Sequence, residues 1–415
     1  MPASDAALAT SSDSTQAGAR AWWRTLRGVL SSGLAELRVR PAQQEPALDA
    51  LRSFAVLAVL CGHWATPEFS VHGGLPSPVQ RWPLFVAGWS GVDLFFVLSG
   101  FLIGRQLWQE LARTGDVRLG RFLLKRGFRI WPLYFVMLGF IALLKTPKPG
   151  WVDFVFLTNY LPNAMGRSWS LSTEEQFYIA VPLLLLLFKR RIPMLGYLAV
   201  FGAIEAAVLV ARHATLVQLI QPGQTINDYY FELFAPFHTH LEGLLAGLVI
   251  SLVATARPAL FSPERTRGVS RLGLGVIALA FAGVLLLRRI DHPLFSFLEL
   301  GLVFGSVTFW ALLDHSWISA PLRLWMWYPI SRLAYGMYLN HFWMTRGLND
   351  AIVSGMRSLS GNEDIVFLGS LSATAAISVG IAVLTFVLVE HPFLLLRARW
   401  LDRSRASASR RPPEK

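Results

Sequence analysis

Residues Leu48 to Trp64 read LDALRSFAVLAVLCGHW, a largely apolar run that nonetheless carries Arg52 and His63. Crossing the hydrocarbon core of a bilayer takes about 20 predominantly apolar residues, with a range of roughly 17 to 25. The run therefore predicts a membrane-spanning helix. Arg52 and His63 are eleven steps apart, which at about 1.5 Å per step places them roughly 16 Å apart along the axis and almost three full turns on, on one face. Arg52 falls near the cytoplasmic end and His63 near the outer end. An arginine at span depth costs roughly 2.5 to 3.5 kcal/mol even on lenient insertion scales, so a function or a partner is expected for it. His63 is read as a catalytic residue in preference to a hydrogen-bonded core histidine, because it shares its face with that arginine.

Composition extends this reading to the whole chain. The 415 residues are 53% hydrophobic and 13% aromatic but only 15% charged, against roughly 25% charged in a soluble domain. A soluble protein must still cover its surface with polar groups, so a fully soluble enzyme is excluded. The lone cysteine, Cys61, excludes an intramolecular disulfide framework. A formal net charge of +12 raises nucleic acid as a partner only if the charges form one patch. They are dispersed, and nucleic acid is set aside.

About ten spans are predicted: Leu48 to Trp64, Trp89 to Gly104, Ile130 to Leu144, Trp169 to Phe188, Met194 to Ala211, Phe237 to Ala254, Leu272 to Leu287, Leu294 to Leu313, Ile330 to Gly347 and Ile365 to Val389. Of the 38 Lys and Arg, 27 belong to the termini and alternate connections, 8 to the other connections, and Arg52, Arg332 and Arg346 lie inside spans. The basic connections are Arg105 to Arg129, Lys189 to Arg191, Arg257 to Arg271 and Arg397 to Lys415. This asymmetry follows the positive-inside rule and puts both termini in the cytoplasm. The fold class is thus an all-α integral membrane protein, a polytopic bundle whose short, interrupted helices face one another and a wet cavity. Val152 to Leu161 is too short to cross and is drawn as a re-entrant or interfacial piece on the outer side. Met1 to Ala19 is expected to be disordered, with no cleaved leader. From Trp22 to Arg40, apolar residues at helical spacing oppose Arg24, Arg27 and Arg38. That helix either lies on anionic lipid or packs on the protein's own cytoplasmic face.

Several further motifs carry polar chemistry. In GWSGVDLFFVLSGFLIG, small residues allow close helix approach, and Asp93 is placed to pair with a neighbouring cation. In KRGFRIWPLY, Arg126 and Arg129 are three apart on one helical side where a cytoplasmic loop enters a span. They either snorkel to lipid headgroups or hold a phosphate-bearing cofactor. In SWSLSTEEQFYIAVP, Ser172 or Thr173 is expected to cap a helix whose first turn holds Glu174 and Glu175. A functional role is assigned to at least one of these carboxylates. PFHTHLEGLLAG holds Thr239, His240, Glu242 and Gly247, and SRLAYGMYLNHF holds Tyr335, Tyr338 and His341. His238 and His240 lack a recognisable third ligand, so no metal is expected. Gly273, Gly275 and Ala278 mimic a dinucleotide fingerprint but lie in an apolar run without its strand or downstream acid, and are dismissed.

Taken in order, LDALRSFAVLAVLCGHW, GWSGVDLFFVLSGFLIG, KRGFRIWPLY, SWSLSTEEQFY, THLEGLLAG, LAYGMYLNH and VEHPF resemble the membrane-bound acyltransferase 3 family across about Leu48 to Arg397. The resemblance implies transfer of an acyl group, often acetyl, from cytoplasmic acyl-CoA to a hydroxyl. The acceptors it implies are sugars, surface glycopolymers or small molecules such as macrolides. The family's arginine and histidine pair matches Arg52 and His63, its cofactor-associated arginines match Arg126 and Arg129, and its carboxylate after the Trp-Ser-Leu element matches Glu174. Relatives often carry an arginine where this chain has His240, which puts any anion-binding role there in doubt. A hydrolase-like domain is fused to some relatives and not seen here, so a separate extracytoplasmic partner either finishes the transfer or is not needed.

The expectation is therefore an integral-membrane O-acyltransferase in the cytoplasmic membrane of a bacterium, in contact with the lipid bilayer. Its donor substrate is acyl-CoA, acetyl-CoA first, with no metal; its acceptor is a saccharide, glycopolymer or small molecule. Residues 1–45 form a cytoplasmic segment with a disordered start and a basic amphipathic helix, 46–397 the membrane acyltransferase domain, and 398–415 a basic cytoplasmic tail. Neutral His63 would act as general base on the acceptor hydroxyl, with an acyl-imidazole on His63 as the other route. Arg52 would position His63 or stabilise oxyanion charge, and Glu174 would orient a histidine, an arginine or the acceptor. The alternative is a transporter or flippase for a glycolipid or small anion, for which buried ionisable residues are equally natural.

Overall fold

A computed structural model describes residues 24–25, 27–42, 44–65, 78–82, 85, 87–144, 148–165, 168–189, 192–219, 226–261, 294–314 and 317–409. Among them there is no strand. Helix α1 covers 27–36. The remaining long helices are α2 Pro46–Ala65, α3 Gly91–Thr114, α4 Leu119–Leu144, α5 Trp169–Phe188, α6 Met194–Leu219, α7 Glu242–Ala256, α8 Ser296–Leu313, α9 Trp327–Leu359, α10 Glu363–Thr385 and α11 His391–Ser409, the last two joined by a π-helical turn at Phe386–Glu390. Among the described residues, seven segments are long and apolar enough to cross a membrane: Pro46–Trp64, Gly88–Thr114, Leu119–Leu143, Trp169–Phe188, Met194–Leu219, Ser296–Leu313 and Glu363–Arg403. The protein is an all-α membrane protein. Helix α7 is apolar but shorter, and α9, though 33 residues long, carries more polar residues. The expected span Leu272 to Leu287, the Gly273, Gly275 and Ala278 run, Met1 to Ala19, Arg190, Arg191 and most of the Arg257 to Arg271 connection lie outside the described residues.

The helix boundaries correct the sequence reading in three places. The second span continues past Gly104 to Thr114 and the third begins at Leu119, so the expected connection from Arg105 to Arg129 shrinks to a short turn. Gly115 closes α3 in the left-handed conformation, φ +74°, which glycine adopts without a Cβ penalty. Lys125, Arg126 and Arg129 are consequently helical. The span expected from Phe237 begins only at Glu242, because a short 3-10 turn over Phe237–Thr239 precedes α7. Third, α5 starts at Trp169 with Ser168 before it, so Ser172 and Thr173 are interior rather than caps. Their hydroxyls turn to the stretch after the Trp151–Phe154 turn: Ser172 meets the Thr158 hydroxyl at 2.7 Å, and Asn159 donates to Thr173 at 3.3 Å. Of the stretch read as re-entrant or interfacial, only residues 152–154 are helical, as part of the turn Trp151–Phe154.

The core forms around α3 and α7. A Cβ on Gly100 would collide with the Leu244 carbonyl, and one on Gly247 with the Val97 carbonyl; only glycine permits this separation, as the small-residue pattern implied. Helix α2 crosses the start of α3 at Gly62 and Gly88, where an added Cβ would come within 2.6 Å of the Trp89 nitrogen. Asp93 on α3 pairs with His240, Oδ1 to Nε2 at 2.8 Å, both buried. The His240 ring also stacks on Phe297 of α8 at 3.8 Å. Arg212 of α6, fully buried, bonds Glu242 at the start of α7 and donates to the carbonyls of Thr239 and Leu294. These two buried pairs tie α3, α6, α7 and α8 together at one end.

Helix α1 and the turn after it pack on the protein, with Gly33 against Val387 and His391. Leu37, just beyond it, is buried with Val56, Leu333 and Phe386. Glu36 pairs with Arg332 and, at 2.7 Å, with His391 Nδ1. The end of the bundle that α1 joins also carries the Arg323–Glu45 pair at 3.1 Å.

Candidate active site

Four of the five expected site residues, Arg52, Arg126, Arg129 and Glu174, line one cavity of about 140 Å³ among α2, α3, α4, α5 and α9. Each reaches it from a different constraint. Arg52 lies less than two turns into α2, and its Nη1 donates to the Ser331 hydroxyl at 3.2 Å, which in turn donates to buried Asp49 at 3.0 Å. Asp49 is also paired with Arg40 at 3.0 Å. The carboxylate balances Arg52 through one hydroxyl and fixes its direction.

Arg126 and Arg129 enter from α4. The Arg126 guanidinium donates to Gln106 of α3 at 3.0 Å and lies over the rings of Phe122 and Tyr178, 5.6 and 5.8 Å from their centroids. Tyr178 follows Glu174 by four residues on α5, so the two side chains share a face. Its hydroxyl donates to Glu174 at 2.7 Å and lies 3.1 Å from Ser99. Arg126, Tyr178 and Glu174 thus form one connected unit: a cation against an aromatic face whose hydroxyl holds the carboxylate. Glu175, the neighbouring carboxylate, points elsewhere and accepts from Trp131 at 3.3 Å.

His63 does not line this cavity. Its Nδ1 lies 3.0 Å from the Val59 carbonyl and 3.2 Å from Nε2 of His341. His341 in turn has its Nδ1 2.6 Å from the Tyr338 carbonyl. The Tyr338 ring lines the cavity, and its hydroxyl bonds Ser170. The cavity therefore communicates with His63 through α9, and Arg52, at the far end of α2, bonds Ser331 rather than positioning His63. His238 and His240 do not converge. His238 meets the Tyr160 hydroxyl at 3.2 Å, while His240 stands between Asp93 and the Phe234 carbonyl.

Sequence reasoning missed Tyr178, Ser170 and Ser331 and gave Tyr338 and His341 no role. The four-residue step from Glu174 was a usable signal for Tyr178. The others depend on which helix faces α9, which no local pattern encodes.

The ordered motifs and the helical membrane fold agree with comparison to known proteins. A family model for an acyltransferase domain matches residues 45–390. The chain belongs to the acyltransferase 3 family. It is 27% identical over 381 residues to the acyltransferase MdmB of Streptomyces mycarofaciens, covering 85% of this chain and 92% of that protein. It is likewise 27% identical over 302 residues to the peptidoglycan O-acetyltransferase OatA of Listeria monocytogenes, covering 60% of this chain but only 44% of OatA. No solved structure matches the chain. The protein is an acyltransferase embedded in a membrane, and the transporter alternative gives way to that activity.

Proposed function

We propose that this acyltransferase takes its acyl group, acetyl first, from acyl-CoA on the cytoplasmic side and delivers it to a hydroxyl of a saccharide, glycopolymer or small molecule. The observation that carries the reading is the gathering of Arg52, Arg126, Arg129 and Glu174 around one intramembrane cavity. Three arginines and one carboxylate leave the cavity cationic, which suits a donor bearing phosphates and a thioester carbonyl on which negative charge develops. A cavity of about 140 Å³ takes the thioester end of the donor and leaves its nucleotide outside, toward the basic end of the bundle. There Arg126 and Arg129 stand nearest the phosphates.

In the proposed reaction, neutral His63 accepts the proton of the acceptor hydroxyl as the oxygen attacks the thioester carbonyl. The C–O bond forms, the C–S bond breaks, and the CoA thiolate takes the proton back from the imidazolium. Arg52 faces the cavity with its guanidinium held by Ser331 and adds to the positive charge that receives the donor. Tyr178 holds Glu174, which orients Arg126 across the same ring. The saccharide or glycopolymer class of acceptor is supported by the likeness to a peptidoglycan O-acetyltransferase.

Purified protein in lipid nanodiscs, incubated with acetyl-CoA, tests the donor. Release of free CoA that depends on the folded protein is the expected result. No release, with or without added saccharide acceptors, would overturn acetyl-CoA as donor.

A further inference from the structure

Two histidines from separate helices meet at His63 and His341, with ring centroids 4.9 Å apart and planes inclined by 49°. Their hydrogen-bond partners determine which nitrogen of each ring carries the proton. A backbone carbonyl can only accept, so the nitrogen facing it must be an N–H. His341 Nδ1 faces the Tyr338 carbonyl at 2.6 Å and is therefore protonated. In the neutral ring, its Nε2 is then a lone pair. That lone pair faces His63 Nδ1 at 3.2 Å, and the same His63 nitrogen faces the Val59 carbonyl at 3.0 Å. Both neighbours of His63 Nδ1 are acceptors, so Nδ1 carries the hydrogen of His63 and Nε2 carries its lone pair.

We infer that His341 is a positioning residue for acyl transfer: by accepting from His63 Nδ1–H it holds His63 in the tautomer whose Nε2 takes the acceptor's proton. This inference rests on the reading of His63 as general base. When Nε2 is protonated, the hydrogen bond from Nδ1–H to His341 becomes charge-assisted, and bonds of that kind are about twice as strong as neutral ones. His341 thus contributes more to the imidazolium than to the neutral ring, and the difference lowers the barrier to proton abstraction. The Val59 carbonyl, four residues earlier on α2, orients the ring but belongs to the helix's own ladder; His341 is the partner supplied from another element. Its backbone anchor is Tyr338, whose ring lines the donor cavity. One turn of α9 thereby couples the base to the donor cavity.

The test combines kinetics with ¹⁵N spectroscopy on histidine-labelled protein in nanodiscs, the His63 signals being assigned by their loss in His63→Gln. Wild type is expected to show a pyrrole-type Nδ1 and a pyridine-type Nε2 for His63. His341→Leu is expected to mix the two tautomers and to lower kcat about five- to ten-fold per folded molecule, the difference between a charge-assisted and a neutral hydrogen bond, with KM for acetyl-CoA little changed. His341→Gln, whose side-chain oxygen can accept from Nδ1–H, is expected to recover a large part of kcat and the single tautomer. A pyridine-type Nδ1 at His63 in wild type overturns the assignment. So does a folded His341→Leu protein with unaltered kcat, or a Gln variant no better than Leu. Near-normal turnover by His63→Gln would overturn the base assignment itself, and would do so without altering the tautomer measured in wild type.

Discussion

The two most exposed residue assignments are His63 and the Arg126 and Arg129 pair. His63→Ala is expected to abolish acyl transfer while leaving acyl-CoA binding in place, because His63 does not line the donor cavity. His63→Gln is expected to fail as well, since an amide hydrogen-bonds but cannot accept the proton; turnover in wild type should rise with pH as the imidazole loses its proton. Transfer per folded molecule across pH for the three proteins decides the point. For the arginines, each Ala substitution removes a charge-assisted contact worth about 1.5 to 3 kcal/mol, or roughly ten- to a hundred-fold in donor affinity. Isothermal titration with CoA measures it, and unchanged affinity in a folded double variant would remove both residues from donor binding. The cost of placing charge in a membrane is what made Arg52, Glu174 and the α4 arginines legible in the sequence. Tyr338 and Ser170 line the same cavity but are neutral and carry no such signature, and His341 could be given a role only once α2 and α9 were seen to meet.

At the scale of elements, the contact between α3 and α7 decides where everything else stands. The glycines at 100 and 247 were legible as small-residue positions, because close packing in a membrane requires them. The partner of Asp93 was legible only as a cation of unknown address. His240 fills that position from before α7, bonded on one nitrogen to the Phe234 carbonyl and on the other to Asp93, each at 2.8 Å. The histidine at this position therefore meets a carboxylate and ties α3 to the stretch that leads into α7. His240→Ala would leave the buried Asp93 carboxylate without its partner, a change that typically costs about 3 to 5 kcal/mol. Thermal unfolding in detergent is expected to show a large loss of stability, and His240→Ala with wild-type unfolding would show the pair to be dispensable. Helix ends were the least legible feature. The extension of α3 to Thr114 and the start of α4 at Leu119 reflect helix continuing into the basic connection, where hydropathy falls but nothing breaks the backbone until Gly115.

For the whole molecule, the direction of each helix follows from the contacts that join consecutive ones. Gly62 and Gly88 meet where α2 ends and α3 begins, so Pro46 and Thr114 lie at the opposite end. Lys189, following α5, pairs with Asp116, following α3, at 3.1 Å; α5 therefore ends where α3 ends. Helix α1 and the Arg323–Glu45 pair join that same end. These basic connections thus gather at one end among the described residues, and we propose, on the positive-inside rule, that this end faces the cytoplasm. Arg52 lies toward this end of α2 and His63 toward the other, so in the proposed reading the donor enters from the basic end and the acceptor meets the histidine pair from the opposite one. This geometry makes a sided prediction. In sealed vesicles that expose the basic end outward, added acetyl-CoA should support CoA release and acyl transfer to an acceptor supplied in the lumen. In vesicles of the reverse orientation, added acetyl-CoA should give neither until the membrane is permeabilised. Orientation is scored independently by a reporter fused after Lys415, expected on the cytoplasmic side. Donor use from the face bearing His63 would sink the cytoplasmic-donor reading, since membrane-impermeant acetyl-CoA would then have met the cavity from the end that its arginines do not face.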